Sequence, residues 1–391
     1  MSEKIKLAHL ITRLIIGGAQ ENTLSTVLYF MDHPDYEVTL ITGPGLGPEG
    51  SLEDEAKCKN VPITVLPFLR RNINPFYDII AFFQMISLFR KNKYDIIHTH
   101  SSKAGILGRL AAYFAQCPVI IHTIHGLPFH PYEKKWKNVL YVFLEKICAK
   151  VSSKIVTVSD TMRDKALIAG VGRKEQYITI YSGMNITAFA NAPLKREHIR
   201  KQLGIKDNEL VVGKIARLFH LKGHDFVVDC AKAITDKFPQ TKFLFVGDGI
   251  LRKELTDSIA NYGLSDHFIF TGLVAPDTIP DYIAVMDILV HTSLREGLAR
   301  ALPQALAAGI PVVSLDIDSA HEVVINDRTG YLVQPDDKKA FIAAIINLLS
   351  DATLRKQLGS NGTKLVVPLF DTKAMCRKLN TLYQELLTCG R

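Results

Sequence analysis

The chain has one tryptophan and only six cysteines, at positions 58, 117, 148, 230, 376 and 389, far apart and with no C-x-x-C pair. That scatter excludes a disulfide scaffold and fits reduced thiols in a cytosolic protein. Uninterrupted apolar runs are short. DIIAFFQMISLF is among the longest and is broken by Gln84 and Ser87, well below the ~18 residues of a membrane span. The start, MSEKIKLAHLIT, enters a strand-like run with no signal-peptide h-region. Apolar residues make up 47% and charged residues 22%, which leaves no room for a disordered or collagen-like chain. The expectation is a cytoplasmic protein, soluble or held at the inner face of the membrane, and not an integral one.

With 391 residues, two domains are expected at roughly 150 residues each, and each half is long enough to bury its own core. The net charge of +8 is uneven: residues 1–190 carry 22 basic against 16 acidic side chains, and the rest 25 against 23. A basic half can meet nucleic acid, an anionic membrane or phosphorylated substrates. No basic-aromatic platform or helix-turn-helix pattern is present, so nucleic acid is not an expected partner.

Short β-rich runs alternate with longer amphipathic ones. In the first half, IKLAHLI (5–11), YEVTLIT (36–42), ITVL (63–66), DIIHTH (95–100), PVIIHTIH (118–125), KIVTVS (154–159) and YITIY (177–181) read as strands. They are apolar on both faces, as buried parallel strands are. The pattern stops near 193–204 and resumes with LVVGKIA (210–216), TKFLFVG (241–247), HFIFTG (267–272), DILVHT (287–292) and PVVSLD (311–316). Strands alternating with helices imply an α/β fold of two doubly wound, Rossmann-like sheets. ITRL (11–14) and IARL (215–218) stand at the end of the first strand of each unit. The segment 370–387 reads as an amphipathic terminal helix that must pack on something.

Ligands of such sheets bind beyond the carboxyl ends of the strands, and with two units the cleft between them is the expected site. Gly17-Gly18 directly precede a helix, where backbone N–H groups can approach an anion; an ordinary turn is the plain alternative. Arg217 and Lys222 flank a turn leading into a helix near Gly223, and two cations can hold a diphosphate. Gly247 and Gly249 surround Asp248 after another strand. Glu296-Gly297 follow the strand that ends at Thr292, and a helix is expected to begin near 299–301. Gln304 is eight residues beyond Glu296, which on a helix would share its face.

In this order, R-x4-K-G (217–223), GDG (247–249) and EG-x6-Q (296–304) followed by ALAAGIPVV resemble the nucleotide-sugar half of retaining glycosyltransferases of family 4, which adopt the GT-B fold. The likeness covers most of the chain. GG (17–18), HTHSSKAG (98–105), HTIHG (122–126), TVSDTMRD (157–164) and IYSGMN (180–185) resemble the acceptor half. The resemblance implies an N-terminal acceptor-side domain over 1–190 and a donor domain over 191–370. A crossover helix over 371–391 returns to the first domain.

Residue by residue, the resemblance implies that Arg217 and Lys222 neutralise the donor diphosphate. Glu296 contacts the transferred sugar, and the N–H groups of Gly297 and Leu298 lie near the phosphate. Gly17 and Gly18 close over the donor phosphates, and His125 hydrogen-bonds the donor sugar. Two positions depart from the family. Gln304 stands where a second Glu usually binds the ribose hydroxyls, giving up a charge-assisted bond, and Asn185 stands where Asp is common.

The expected function is therefore retaining transfer of a sugar from a nucleotide-diphosphate donor, with UDP ahead of GDP, to a glycan or lipid-linked acceptor. No metal and no cofactor is expected. The alternatives are a nucleotide-sugar epimerase on the same fold and an inactive nucleotide-sugar-binding protein, the latter suggested only by Gln304. Other features read as structural. Asp316-x-Asp318 is expected to cap a helix near 319. GPGLGPEG (43–50) is a loop, and His98, His100, His122 and His125 are core or donor-site histidines, not a metal cluster. Ser101, Ser102 and Lys103 open a helix, as cap or anion contact. KKWKNVLYVFLEKICAK (134–150) carries Trp136, Leu140, Phe143, Leu144 and Ile147 on one face. Packing on its own sheet is the expected use of that face, and docking on an anionic membrane the alternative.

Overall fold

A computed structural model describes residues 3–45 and 50–389. The chain forms two compact units, residues 1–184 with 371–391, and residues 185–370. The first break falls at 184/185, a few residues before the expected one. Of the 43–50 loop, residues 46–49 lie outside the described residues.

Unit 1 begins with β1 (Ile5–Ile11), α1 (Gly18–Met31), β2 (Tyr36–Thr42), α2 (Glu53–Cys58) and β3 (Ile63–Val65). It continues with α3 (Pro75–Asn92), β4 (Ile96–His100), α4 (Ser102–Phe114) and β5 (Val119–Ile124). α5 (Lys135–Val151), β6 (Lys154–Thr157), α6 (Asp160–Ile168) and β7 (Tyr177–Thr179) complete its first stretch. All seven strands are parallel, in the order β3-β2-β1-β4-β5-β6-β7. Every residue of β4 and β5 is buried, as expected of central strands covered by helices on both faces. Asn74 starts α3 by accepting from the N–H groups of Phe76 and Tyr77, with Pro75 in the first turn.

Unit 2 holds α7 (Ile186–Ala190), α8 (Arg196–Gln202), β8 (Leu210–Ile215), α9 (His224–Thr235) and β9 (Thr241–Val246). Next come α10 (Arg252–Asn261), β10 (Phe268–Phe270), α11 (Ile279–Ala284), β11 (Ile288–His291) and α12 (Ala301–Ala307). β12 (Val312–Leu315), β13 (Gly330–Val333), α13 (Lys338–Ser350) and α14 (Ala352–Phe370) end the unit. Its six strands are parallel, in the order β10-β9-β8-β11-β12-β13. Strand β13 was not among the expected strands; Gly330 lies so close to β12 that a Cβ would sit 2.0 Å from the Val312 carbonyl oxygen.

The terminal helix α15 (Thr372–Cys389) belongs to unit 1. Met375, Cys376, Leu379, Leu382 and Tyr383 enter the core that holds Phe30 and Tyr36. The Asn380 side chain accepts from the Tyr36 hydroxyl at 2.6 Å.

Two expectations fail here. Helix α5 does not bury most of its apolar stripe: Trp136, Leu140 and Phe143 are 43–63% exposed, and Leu144 and Ile147 are half-buried. Its buried side carries Glu145, Cys148 and Ala149, and Glu145 meets buried Arg109 of α4 at 2.7 Å. A buried carboxylate must be paired, and only this rotation of the helix gives Glu145 its partner. Asp318 caps no helix either; Ser319 precedes the short turn Ala320–Glu322, without a side-chain cap.

Candidate active site

In unit 2 the strand order reverses between β8 and β11, since β8 is followed by β9 on one side and β11 by β12 on the other. The crevice at such a reversal is where ligands of doubly wound sheets bind. The loops leaving these two strands carry Arg217, Lys222 and Glu296.

Hydrogen bonds tie the loops together. Leu294 donates to the Leu221 carbonyl at 2.8 Å, and the Thr292 hydroxyl donates to the Gly223 carbonyl at 2.5 Å. Gly223 (φ 67°) lies where a Cβ would stand 2.0 Å from the Thr292 carbonyl oxygen, so only glycine permits this approach. Across the junction Lys222 Nζ meets Glu296 Oε1 at 2.6 Å. The Glu296 N–H donates to the Asp318 carboxylate at 2.6 Å. Asp318 thereby holds the backbone of the Glu296 loop.

Burial alone would raise the Glu296 carboxyl, but the adjacent Lys222 ammonium, with smaller help from Ser293, holds it below the ordinary value. His291 lies 3.8 Å from the same oxygen; burial lowers its pKa to about 3, so it is neutral there. Beneath the pair, Lys214 is fully buried on β8 and donates to the Thr292 hydroxyl at 2.8 Å. Burial, and then the Lys222 charge, bring its pKa down to about 7. Lys214 is absent from the sequence-derived candidates, although a lone cation in the apolar strand LVVGKI was the available signal.

The other candidates of unit 2 have the following surroundings. Arg217 is exposed, its guanidinium over the Phe219 ring. Gly247 (φ 133°) and Gly249 pass so close to the Arg217 loop that a Cβ would stand 2.3 Å from the Ala216 carbonyl oxygen and 2.4 Å from that of Leu218. Their backbone thereby shapes that loop. Gly297 accepts from the Ser319 hydroxyl, and Leu298 is buried. Gln304 lies on α12, which begins only at Ala301. Residues 296–300 are not helical, so helical spacing does not put Gln304 on the face of Glu296. Asn185 precedes α7, and its side chain accepts from Ala188 N–H.

In unit 1 the reversal lies between β1 and β4. Gly17 precedes α1, and Gly18 is its first residue. After β4, Ser101 takes a positive φ of 62°. Its hydroxyl caps nothing and bonds Thr12 Oγ1 at 2.7 Å. His125 lines a cavity of about 240 Å³ together with Ser101, Ser102 and His122.

Behind His125 runs a line of imidazoles. His125 Nε2 is 3.1 Å from His100 Nδ1, and His100 Nε2 is 2.9 Å from His9 Nδ1. Burial depresses the pKa of His9 to about 3, and that of His100 well below the ordinary value, so both rings are neutral. A neutral ring donates at one nitrogen and accepts at the other. The far end, His9 Nε2, is buried without a partner. An orphaned lone pair costs less than an orphaned N–H, which sets the direction: His9 donates to His100, and His100 to His125. His125 then accepts at Nε2 and keeps its proton on Nδ1. His9, which the sequence reading missed, also lies within 4.8 Å of His98 and His100, ligand atom to ligand atom, a set able to hold a metal ion. Both nitrogens of His98 are already bonded, to the Tyr383 hydroxyl at 2.5 Å and to Thr123 Oγ1 at 2.7 Å.

Comparison with known proteins gives these loops a context. Residues 16–187 match the family model "Glycosyltransferase Family 4", and residues 195–365 match "Glycosyl transferases group 1". The chain is 29% identical to the UDP-Gal:alpha-D-GlcNAc-diphosphoundecaprenol alpha-1,3-galactosyltransferase of Escherichia coli, over 98% of both chains. It is 28% identical to the capsular polysaccharide biosynthesis glycosyltransferase CapM of Staphylococcus aureus, over 83% of this chain and 85% of that one. Among solved structures, Anabaena HepE in complex with UDP-glucose superposes with a TM-score of 0.83 at 23% identity, covering 97% of this chain and 100% of that one. That last likeness concerns the GT-B fold.

Proposed function

We propose that this chain, which belongs to glycosyltransferase family 4 and is a glycosyltransferase, moves a sugar from a UDP-sugar to a lipid-linked glycan, with retention and without a metal. The observation that carries the reading is the Lys222–Glu296 pair at the β8/β11 reversal, with Arg217 on the same loop and Lys214 beneath. The relatives' names, a galactosyltransferase acting on a diphosphoundecaprenol-linked sugar and a capsular enzyme, support the donor and acceptor classes.

Breaking the bond between an anomeric carbon and a diphosphate builds positive charge on the sugar and negative charge on the leaving group. Arg217 and Lys222 meet the negative charge, and fixed cations of this kind stabilise the transition state more than the ground state. Glu296, kept ionised by Lys222 and fixed at its backbone by Asp318, accepts hydroxyls of the transferred sugar. Gly297 and Leu298 offer N–H groups to the phosphate, and Gln304 serves the ribose with a neutral amide. Gly17, Gly18 and the Nδ1–H of His125 are the proposed contributions of unit 1 to the donor. In a retaining route of this kind, the departing phosphate takes the acceptor's proton, and no paired carboxylates are needed.

The test is thermal unfolding against UDP, GDP, ADP and CMP and their sugar conjugates, with EDTA throughout. At 100 times its dissociation constant a ligand adds about 2.7 kcal/mol of stability. A shift with UDP that disappears in Arg217→Ala supports the reading, and no shift with any nucleotide overturns it. NMR of the product's anomeric proton then decides retention.

A further inference from the structure

Lys214 is a buried amine without an anion of its own. Its side chain is fully buried on β8, an inner strand of the unit 2 sheet, in register with Phe245 of β9. Among the described residues, Nζ has one hydrogen-bond partner, the Thr292 hydroxyl at 2.8 Å, and no carboxylate within ion-pair distance. Two carboxylates act on it from farther away. Glu296 is engaged by Lys222 at 2.6 Å, and Asp225 is exposed in the first turn of α9. The two imidazoles that sense its charge, His224 and His291, are held neutral chiefly by burial, at about 2 and about 3. Neither nitrogen of His224 has a hydrogen-bond partner.

A buried ammonium costs free energy that one hydroxyl does not offset, and an inner strand such as LVVGKI is ordinarily apolar throughout. The surroundings of Lys214 supply a reason for it. Thr292 Oγ1 accepts from Lys214 and donates to the Gly223 carbonyl at 2.5 Å. Two hydrogen bonds therefore lead from the amine to the residue next to Lys222, and Lys214 lies under the turn to which the donor diphosphate is assigned. Away from water, charges at such a separation interact strongly.

We propose that Lys214 is a buried positive charge of the donor-diphosphate site, taking a proton from solvent when the diphosphate binds and returning it when the nucleotide leaves. The inference rests on the donor site proposed above. In the free enzyme, burial and then the Lys222 charge bring the pKa of this side chain to about 7, so near pH 8 it is mostly the neutral amine. A diphosphate over the turn adds negative charge and favours the ammonium. By linkage, the factor by which the ligand raises the proton affinity of Lys214 is the factor by which the proton raises affinity for the ligand. Affinity for UDP therefore falls as pH rises from the free pKa to the bound one, and levels off above it. Glu296 is ionised and His224 and His291 are neutral throughout that window, so none of them adds to the slope.

The test is titration calorimetry of the full chain with UDP at pH 8, in two buffers of different ionisation enthalpy, which counts protons taken up. For a tenfold coupling the wild type should take up ~0.4 of a proton per UDP, and its affinity should fall roughly fivefold from pH 7 to pH 9. Lys214→Met and Lys214→Gln should bind UDP without uptake and with a flat profile between these pH values, so that the wild type exceeds them most at pH 7. Binding by the wild type with no proton uptake overturns the inference and leaves the donor site standing. Uptake that persists in both variants also overturns it, and moves the proton to another group such as the exposed His220 of the same loop. No binding of UDP at any pH overturns the donor reading, and the inference with it.

Discussion

Replacing Lys214 by methionine should make the protein more stable near neutral pH and should abolish part of its pH dependence. The buried ammonium of Lys214 has its pKa brought down to about 7 by burial and by the Lys222 charge. In the unfolded chain a lysine titrates near about 10.4. Between these values the unfolded state binds more protons than the folded one, so stability rises with pH across that window. At about 1.4 kcal/mol per pH unit, the rise from pH 7 to pH 9.5 is about 3 kcal/mol. Methionine fills a similar volume without charge, and it leaves the Thr292 hydroxyl its bond to the Gly223 carbonyl. Lys214→Met should therefore exceed the wild type most at pH 7, and the gap should close towards pH 10. Urea unfolding followed by far-UV circular dichroism is the assay, because the single tryptophan, Trp136, sits in the other unit. A gap that stays constant with pH would refute the buried-cation argument.

Other perturbations test other parts of the molecule. Lys222→Ala should weaken UDP binding roughly tenfold or more and, with Glu296 losing its counter-charge, should move the acid limb of the transfer profile to higher pH; Glu296→Gln should lose transfer while calorimetry finds UDP affinity little changed. Arg109→Met leaves the Glu145 carboxylate buried and unpaired, at a cost of roughly 3–5 kcal/mol, whereas Arg109→Met with Glu145→Leu should recover most of it in urea unfolding. His100→Phe cuts the line of imidazoles behind His125 and should lower kcat with little change in KM for the donor; an unchanged kcat would remove the line from any part in transfer.

Most of the sheet order was readable because buried parallel strands are apolar on both faces, and ten of the expected runs differ from the observed strands by at most two residues at either end while β1 and β2 agree at both. Strand β13 escaped because GYLV is short and half-covered, so neither periodicity nor an apolar run marked it. The loop cations were legible since a charge at the carboxyl end of a strand has few structural uses. Lys214 and His9 were not, because each sits inside a strand and reveals its purpose only through a partner on another strand, Thr292 in one case and His100 in the other. Asp318 was misread for the same reason. Its acceptor role is set by Glu296, whose place depends on the bend of residues 292–300, and that bend has no period to read.

Helix α5 shows the limit of pattern reasoning most clearly. Amphipathicity says that a helix has an apolar side; it does not say which side meets the sheet. Trp136, Leu140 and Phe143 mark the larger apolar face, and area alone would bury it. A single carboxylate decides otherwise. Glu145 lies on the opposite side, where Arg109 waits with a side chain that is itself fully buried. Turning the helix to bury the aromatic side would strand the Arg109 charge inside unit 1, a penalty larger than exposing a few apolar side chains to water. The exposed stripe is thus a consequence of an ion pair. On a bilayer the same stripe loses its contact with water while the Arg109–Glu145 pair stays intact.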